Sequence, residues 1–178
     1  RTTNGETHPA CGDVDGDGLD EIVVGAGYGG RSKLYYFDDA RKNFAALQVG
    51  DGCHLWSCAE SRYIRSSGVS IPALGDIDGD GLAELVIGQG MGGNGSVTIL
   101  DDALTGFRKL RGAHTVEGPL QAIPVASYNQ TNGSTHPAVG DVDGDGLAEI
   151  VVGVGWGGEG MVYVFDDAAA GYAPLPQA

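Results

Sequence analysis

Gly12-Asp13-Val14-Asp15-Gly16-Asp17-Gly18-Leu19-Asp20-Glu21-Ile22-Val23-Val24-Gly25 passes from acid and glycine straight into β-branched residues, and the chain writes this passage three times. The second copy runs from Gly75 to Gly88, 63 residues on, and the third from Gly140 to Gly153, 65 residues further. Each is led in by a Pro-Ala step: His8-Pro9-Ala10-Cys11, Ile71-Pro72-Ala73-Leu74 and His136-Pro137-Ala138-Val139. Each is followed by a glycine cluster and a second apolar run ending in Asp-Asp-Ala at 38–40, 101–103 and 166–168. Three copies of one supersecondary unit thus account for nearly all of the 178 residues, with boundaries expected at 1–63, 64–128 and a shortened 129–178.

Within a copy, short β-branched runs bounded by Gly and Asp read as strands, and no helical period is sustained. The order is a strand entering the acidic loop, the Ile/Val strand, a Gly-rich turn and a third strand such as Val162–Phe165. A fourth strand is expected near Phe107–Leu110. One four-stranded antiparallel meander leaves apolar faces and strand edges open, so such units stack radially. The expected fold is an all-β propeller with three blades in this chain. It is either a partial ring or half of a six-bladed ring closed by a head-to-tail homodimer.

The acidic loop has the form Asp-x-Asp-Gly-Asp-Gly-Leu-x-Glu. Alternate residues of a tight loop can turn toward one centre, and the glycines permit the backbone curl. Ca²⁺ takes six to eight oxygens from carboxylates, carbonyls and water. The expected ligands are Asp13, Asp15, Asp17 and Glu21 with the Leu19 carbonyl, then Asp76, Asp78, Asp80 and Glu84 with the Leu82 carbonyl. The third set is Asp141, Asp143, Asp145 and Glu149 with the Leu147 carbonyl. Asp20 stands where the other copies have Ala83 and Ala148, so it is not read as a ligand. An all-oxygen set without His or Cys selects a hard ion, and Mg²⁺ prefers fewer protein ligands, so three Ca²⁺ ions are expected. An EF-hand would need a glutamate at loop position 12 and flanking helices. Val24, Ile87 and Val152 stand there, inside strand-like runs.

With these residues in view, Gly-Asp-Val-Asp-Gly-Asp-Gly-Leu-x-Glu-Ile-Val-Val-Gly resembles the FG-GAP or VCBS-type repeats of integrin α-subunit propellers and of many secreted proteins. The resemblance covers all three copies. It implies that the calcium loop joins the first and second strands of each blade, and that the role is adhesion, ligand binding or scaffolding. Loop position 9 is often Asp in that family; here it is the longer Glu.

The bulk composition agrees with a cation as partner. There are 10 Lys and Arg against 24 Asp and Glu, a net charge of −14, which disfavours nucleic acid and anionic membrane surfaces. Windows 13–21, 76–84 and 141–149 hold five, four and four of those acids, and such clusters repel themselves unless something positive lies among them. No apolar run approaches the roughly 20 residues of a membrane span, so no membrane insertion is expected. Millimolar extracellular calcium suits loops of modest affinity, pointing to a secreted, periplasmic or cell-surface location. The chain begins at Arg1 without an initiator Met or a signal-type stretch, which reads as a processed chain or an excised piece. Cys11, at the place of Leu74 and Val139, is expected to be a small buried side chain. Cys53 and Cys58 are candidates for a loop disulfide.

The clusters around Gly25–Gly30, Gly88–Gly93 and Gly153–Gly158 look like dinucleotide fingerprints, but a strand follows each where that motif requires a helix. Their large residues, Tyr28, Met91 and Trp156, are expected to pack between blades; the alternative is a surface that grips a protein or glycan ligand. His8 and His136 give way to Ile71 in the second copy, and no nucleophile–base pair stands out. Asn94, Asn129 and Asn132 begin glycosylation-type triplets. The function expected is a calcium-stabilised binding or scaffold module for extracellular adhesion or protein interaction, not an enzyme. A lectin-like carbohydrate-binding propeller is the alternative. A polysaccharide-active enzyme ranks last, because near-identical repeats offer no distinct site for asymmetric chemistry.

Overall fold

A computed structural model describes residues 4–47, 61–108, 110 and 120–176. These form three antiparallel sheets. The first holds β1 (Thr7–Gly12), β2 (Glu21–Ala26) and β3 (Leu34–Phe37), and the second β4 (Ser70–Gly75), β5 (Glu84–Gln89), β6 (Ser96–Leu100) and β7 (Leu120–Gln121). The third holds β8 (Thr135–Gly140), β9 (Glu149–Val154) and β10 (Val162–Phe165). The acidic loop joins the first two strands of every sheet, and the register closes on it: Gly12 lies opposite Glu21, Gly75 opposite Glu84 and Gly140 opposite Glu149. The sheets are successive propeller blades, with β1 next to β4 and β4 next to β8.

Burial follows from this stacking. Every residue of β5 is buried, because both faces of the middle blade meet a neighbour. Leu85, Ile87 and Leu100 pack on Val14, Val23, Leu34 and Tyr36 of the first blade, while Val86 and Ile99 pack on Ile150, Val152 and Phe165 of the third. Each fully buried Leu, Ile or Val contributes about 1.5–3 kcal/mol. In β2 and β9 buried and half-buried residues are interspersed, as expected where only one face is covered.

The blades also touch through their backbones. A Cβ on Gly25 would lie 1.9 Å from the Ser70 carbonyl oxygen, and one on Gly88 would lie 2.3 Å from that of Thr135. Only glycine lets the second strand of one blade approach the first strand of the next so closely.

Two helices, α1 (Ser61–Ser66) and α2 (Ala126–Thr131), precede the second and third blades. With six residues each, they are too short to show a period in the sequence. Their tyrosines fasten the blade that follows. Tyr63 Oη donates to the Val69 carbonyl and accepts the Gly90 N–H, both at 2.7 Å. Tyr128 Oη does the same with the Ser134 carbonyl and the Gly155 N–H, also at 2.7 Å.

The fourth strand differs from expectation. In the second blade it is β7, paired with Ser96 and Val97. The Phe107–Leu110 stretch lies alongside the end of β6 without forming a regular strand. Among the described residues it is joined there by two bonds, from the Asp101 N–H to the Arg108 carbonyl and from the Leu110 N–H to the Ile99 carbonyl. Phe107 adopts a left-handed φ of 52° and stacks on Tyr36 with ring centroids 4.8 Å apart. The equivalent segments of the first and third blades make the same pair of bonds, from the Asp38 N–H to the Ala45 carbonyl and the Leu47 N–H to the Tyr36 carbonyl, and from the Asp166 N–H to the Ala173 carbonyl and the Leu175 N–H to the Val164 carbonyl.

Cys11 also departs from expectation: it is exposed. Leu74 and Val139, its counterparts, lean on Gly12 and Gly75 of the preceding blade. Among the described residues no sheet covers the corresponding face of β1. Cys53 and Cys58 lie outside the described residues.

Candidate metal centres

Each acidic loop is shaped by its own carboxylates. In the first blade Asp13 Oδ1 accepts the Gly16 N–H at 2.7 Å and Oδ2 the Gly18 N–H at 2.9 Å. Asp15 Oδ1 accepts the Asp17 N–H and Asp17 Oδ1 the Leu19 N–H, at 3.2 and 3.1 Å. Asp76, Asp78 and Asp80 repeat this pattern, as do Asp141, Asp143 and Asp145. The curl needs positive φ at the paired glycines, 82° and 84° at Gly16 and Gly18. Because one oxygen of Asp15 and one of Asp17 hold the turn, their second oxygens are not used by it.

The glutamates sit under the loops. Glu21, Glu84 and Glu149 are each fully buried, with 0% exposure. Oε2 of each accepts a loop N–H: Val14 at 3.0 Å, Ile77 at 2.6 Å and Val142 at 2.6 Å. Oε1 of each is buried without a hydrogen-bond partner. Burial pushes the Glu21 carboxyl up to about 7; the Val14 N–H opposes this, and Asp15, Asp13 and Asp17 add to it. Burial likewise raises Glu84 to about 8, opposed by the Ile77 N–H and assisted by Asp78. Asp15 and Asp78 are raised from the usual aspartate range, again first by burial.

Carboxylate oxygens of Asp13, Asp15 and Asp17 lie within 4.8 Å of one another, as do those of Asp76, Asp78 and Glu84. The structure adds acids that the sequence reading did not assign. Asp38 joins Asp15 and Glu21, Asp39 joins Asp17 and Glu21, and Asp102 joins Asp80 and Glu84 in further groups of the same compactness. The recurrent Asp-Asp-Ala was the available signal. An orphaned, fully buried carboxylate oxygen facing other carboxylates is costly unless a cation neutralises it. The all-oxygen donor set fits a hard divalent ion.

The loops are also the seam between blades. The Asp13 carbonyl accepts the Ala83 N–H at 2.7 Å, and the Val14 carbonyl accepts the Ala103 N–H at 3.0 Å. Asp76 and Ile77 make the same bonds to Ala148 and Ala168, at 2.9 and 3.1 Å. The loop leucines serve the seam too: Leu82 and Leu147 methyls lie against Gly16 and Gly79 of the preceding loop.

Tyr28, Met91 and Trp156 lie in the second turn of each blade, at the end opposite the acidic loops. They are 50%, 61% and 88% exposed, so the expected packing between blades is not what they do. The turns of Tyr28 and Met91 bind the next helix segment through backbone instead: Gly29 N–H to the Ser67 carbonyl, and Gly92 N–H to the Asn132 carbonyl.

The FG-GAP-like repeat family matches this chain over residues 13–87 and again over 76–152. The chain is similar to integrin alpha-7 of Mus musculus, 26% identical over 150 residues, covering 81% of this chain and 12% of that protein. It is 27% identical over 161 residues to integrin alpha-PS2 of Drosophila melanogaster, covering 81% and 11%. To integrin alpha pat-2 of Caenorhabditis elegans it is 27% identical over 106 residues, covering 57% and 8%. It therefore spans roughly a tenth of the length of these relatives. With each acidic loop joining the first two strands of a blade and the repeat matched from residue 13 to 152, this chain belongs to the FG-GAP-like repeat family.

Proposed function

We propose that the chain is a calcium-pinned propeller segment that works by binding, as an adhesion or protein-interaction module outside the cell, and not as an enzyme. The observation that carries this is the double duty of the acidic loop. It gathers orphaned carboxylate oxygens around one centre while its own carbonyls hold the next blade. Calcium would draw on Asp13, Asp15, Asp17 and Glu21 and their counterparts in the other two loops, with carbonyls from Leu19, Leu82 and Leu147. It supplies positive charge where the carboxylates repel, so the loops and the seams they build become rigid together. The similarity to integrin α-subunits supports adhesion as the setting, and millimolar extracellular calcium suits loops of this kind. Among the described residues no helix is long and apolar enough to cross a membrane. Calorimetric titration tests the reading: three calcium ions per chain and a higher melting temperature are expected, and no uptake at millimolar calcium would sink it.

A glycan-binding role is the second reading, favoured by the exposure of Tyr28, Met91 and Trp156 at one end of the blades. Aromatic faces stack on sugars. A glycan array with the unmodified chain and Trp156→Ala separates the two readings, since only a lectin loses signal.

A second copy docked head to tail would complete the ring. Val142 is 59% exposed where Val14 and Ile77 are fully buried, and Val162 is 47% exposed where Leu34 and Val97 are fully buried. The third blade thus presents the face that the first two cover with a neighbour. Sedimentation in calcium should give twice the chain mass, and a single-chain mass would rule this arrangement out.

A further inference from the structure

We propose that Asp39, Asp102 and Asp167, the second residue of each Asp-Asp pair, are ligands of the loop cations. Each ion is then held by two separate segments of its blade. The inference rests on the calcium reading above and adds a ligand that the loop motif does not contain.

Topology brings these residues to the loop. In an antiparallel meander the third strand ends where the first loop begins, and Ile22 pairs with Phe37 as Leu85 does with Leu100. The chain leaving β3 or β6 therefore passes directly beside Glu21 or Glu84. Asp39, Asp102 and Asp167 are 1%, 2% and 3% exposed. Carboxylate oxygens of Asp17, Glu21 and Asp39 lie within 4.8 Å of one another, and so do those of Asp80, Glu84 and Asp102. Ligands at about 2.3–2.6 Å from one Ca²⁺ lie at most about 5 Å apart, so each trio can share an ion. Asp167 holds the same place after β10.

The plain alternative is that these aspartates only close a turn. Asp39 Oδ1 accepts the Arg41 and Lys42 N–H groups, Asp102 Oδ1 the Thr105 N–H at 2.9 Å, and Asp167 Oδ1 the Ala170 N–H at 2.8 Å. That role takes one oxygen, and an asparagine would fill it equally well. The other oxygen of Asp39 is buried without a partner, as is Oε1 of the neighbouring Glu21. Lys42 pairs with Asp38 at 3.9 Å, and its charge also acts on Asp39, without supplying a hydrogen bond to the buried oxygen. Asp39 and Glu21 share one compact group with Asp17 and each carries a buried, unpartnered carboxylate oxygen, an arrangement that calls for a positive ion beside it.

Asp102→Asn in the middle blade tests this, since it keeps shape and the turn-closing acceptor. Asp20→Asn, an exposed acid outside the ligand set, controls for net charge. Calcium calorimetry should show three sites in the unmodified chain and in Asp20→Asn. In Asp102→Asn one site should weaken by about tenfold or more while two stay unchanged. Its melting temperature in chelator should be no lower than that of the unmodified chain. Three unaltered sites in Asp102→Asn would overturn the proposal and leave the calcium reading standing. An equal loss of melting temperature with chelator and with calcium would overturn it in favour of turn closure. Absence of calcium uptake by the unmodified chain would remove both readings.

Discussion

Oε2 of Glu84 accepts the Ile77 N–H at 2.6 Å, and its Oε1 lies fully buried with no hydrogen-bond partner. One half of the carboxylate is thus spent on folding the loop while the other half has nothing in the protein to answer it. Glu84→Gln keeps the loop acceptor and removes the charge. In chelator it should melt above the unmodified chain; in saturating calcium the order should reverse. Paired melting curves check this, and a variant less stable under both conditions would contradict it.

The same burial fixes a pH dependence. Glu21 and Glu84 are raised to about 7 and about 8, so the folded state holds their protons more tightly than the unfolded state does. Stability from this source is complete below the ordinary glutamate range and is lost as pH rises through about 7 to 8. Asp15 and Asp78, raised for the same reason, act in the same direction. Metal-free protein should therefore melt several degrees lower at about pH 8.5 than at about pH 5.5, and calcium should flatten the slope. A chelated sample that grows more stable over this interval would refute the assignment.

Gly88→Ala should cost about 1–3 kcal/mol or more, because its Cβ would fall 2.3 Å from the Thr135 carbonyl oxygen. Gly153→Ala at the same position of the third blade meets only His136, its carbonyl oxygen at 3.6 Å and its Cβ at 3.9 Å, both ordinary contacts. Its single-chain stability should change by less than about 0.5 kcal/mol. If a second copy docks on that blade, Gly153→Ala should abolish the dimer. Urea unfolding and sedimentation read the two effects separately.

Tyr128→Phe leaves the Gly155 N–H and the Ser134 carbonyl without the hydroxyl that joins them at 2.7 Å on each side. A loss of about 1–3 kcal/mol in urea unfolding is expected. Tyr63→Phe, which breaks the same arrangement with Val69 and Gly90, should match it.

The acidic loops and the Ile/Val strands are legible because their signals are local: four carboxylates within nine residues and a β-branched run directly after. The nearness of Asp39 to Glu21 is not legible in that way. It depends on Ile22 pairing with Phe37, a register that no short window contains. Cys11 lies exposed where Leu74 and Val139 lean on a preceding blade, since among the described residues no sheet covers that face of β1; equivalence in sequence is not equivalence of surroundings. Tyr28 and Met91 stay outside the seam because backbone closes it at their turns, through Gly29 to Ser67 and Gly92 to Asn132; among the described residues no such bond leaves the turn of Trp156, which is 88% exposed.

The contact of Gly25 with Ser70 and of Gly88 with Thr135 carries a consequence for descent. The main-chain part of such a junction asks only for a glycine at one fixed place, and the apolar residues that complete it are ones every copy of the repeat carries. A gene segment encoding one such unit could be copied in tandem and the newcomer would find its seat at once. Divergence would then be free to act on the exposed ends.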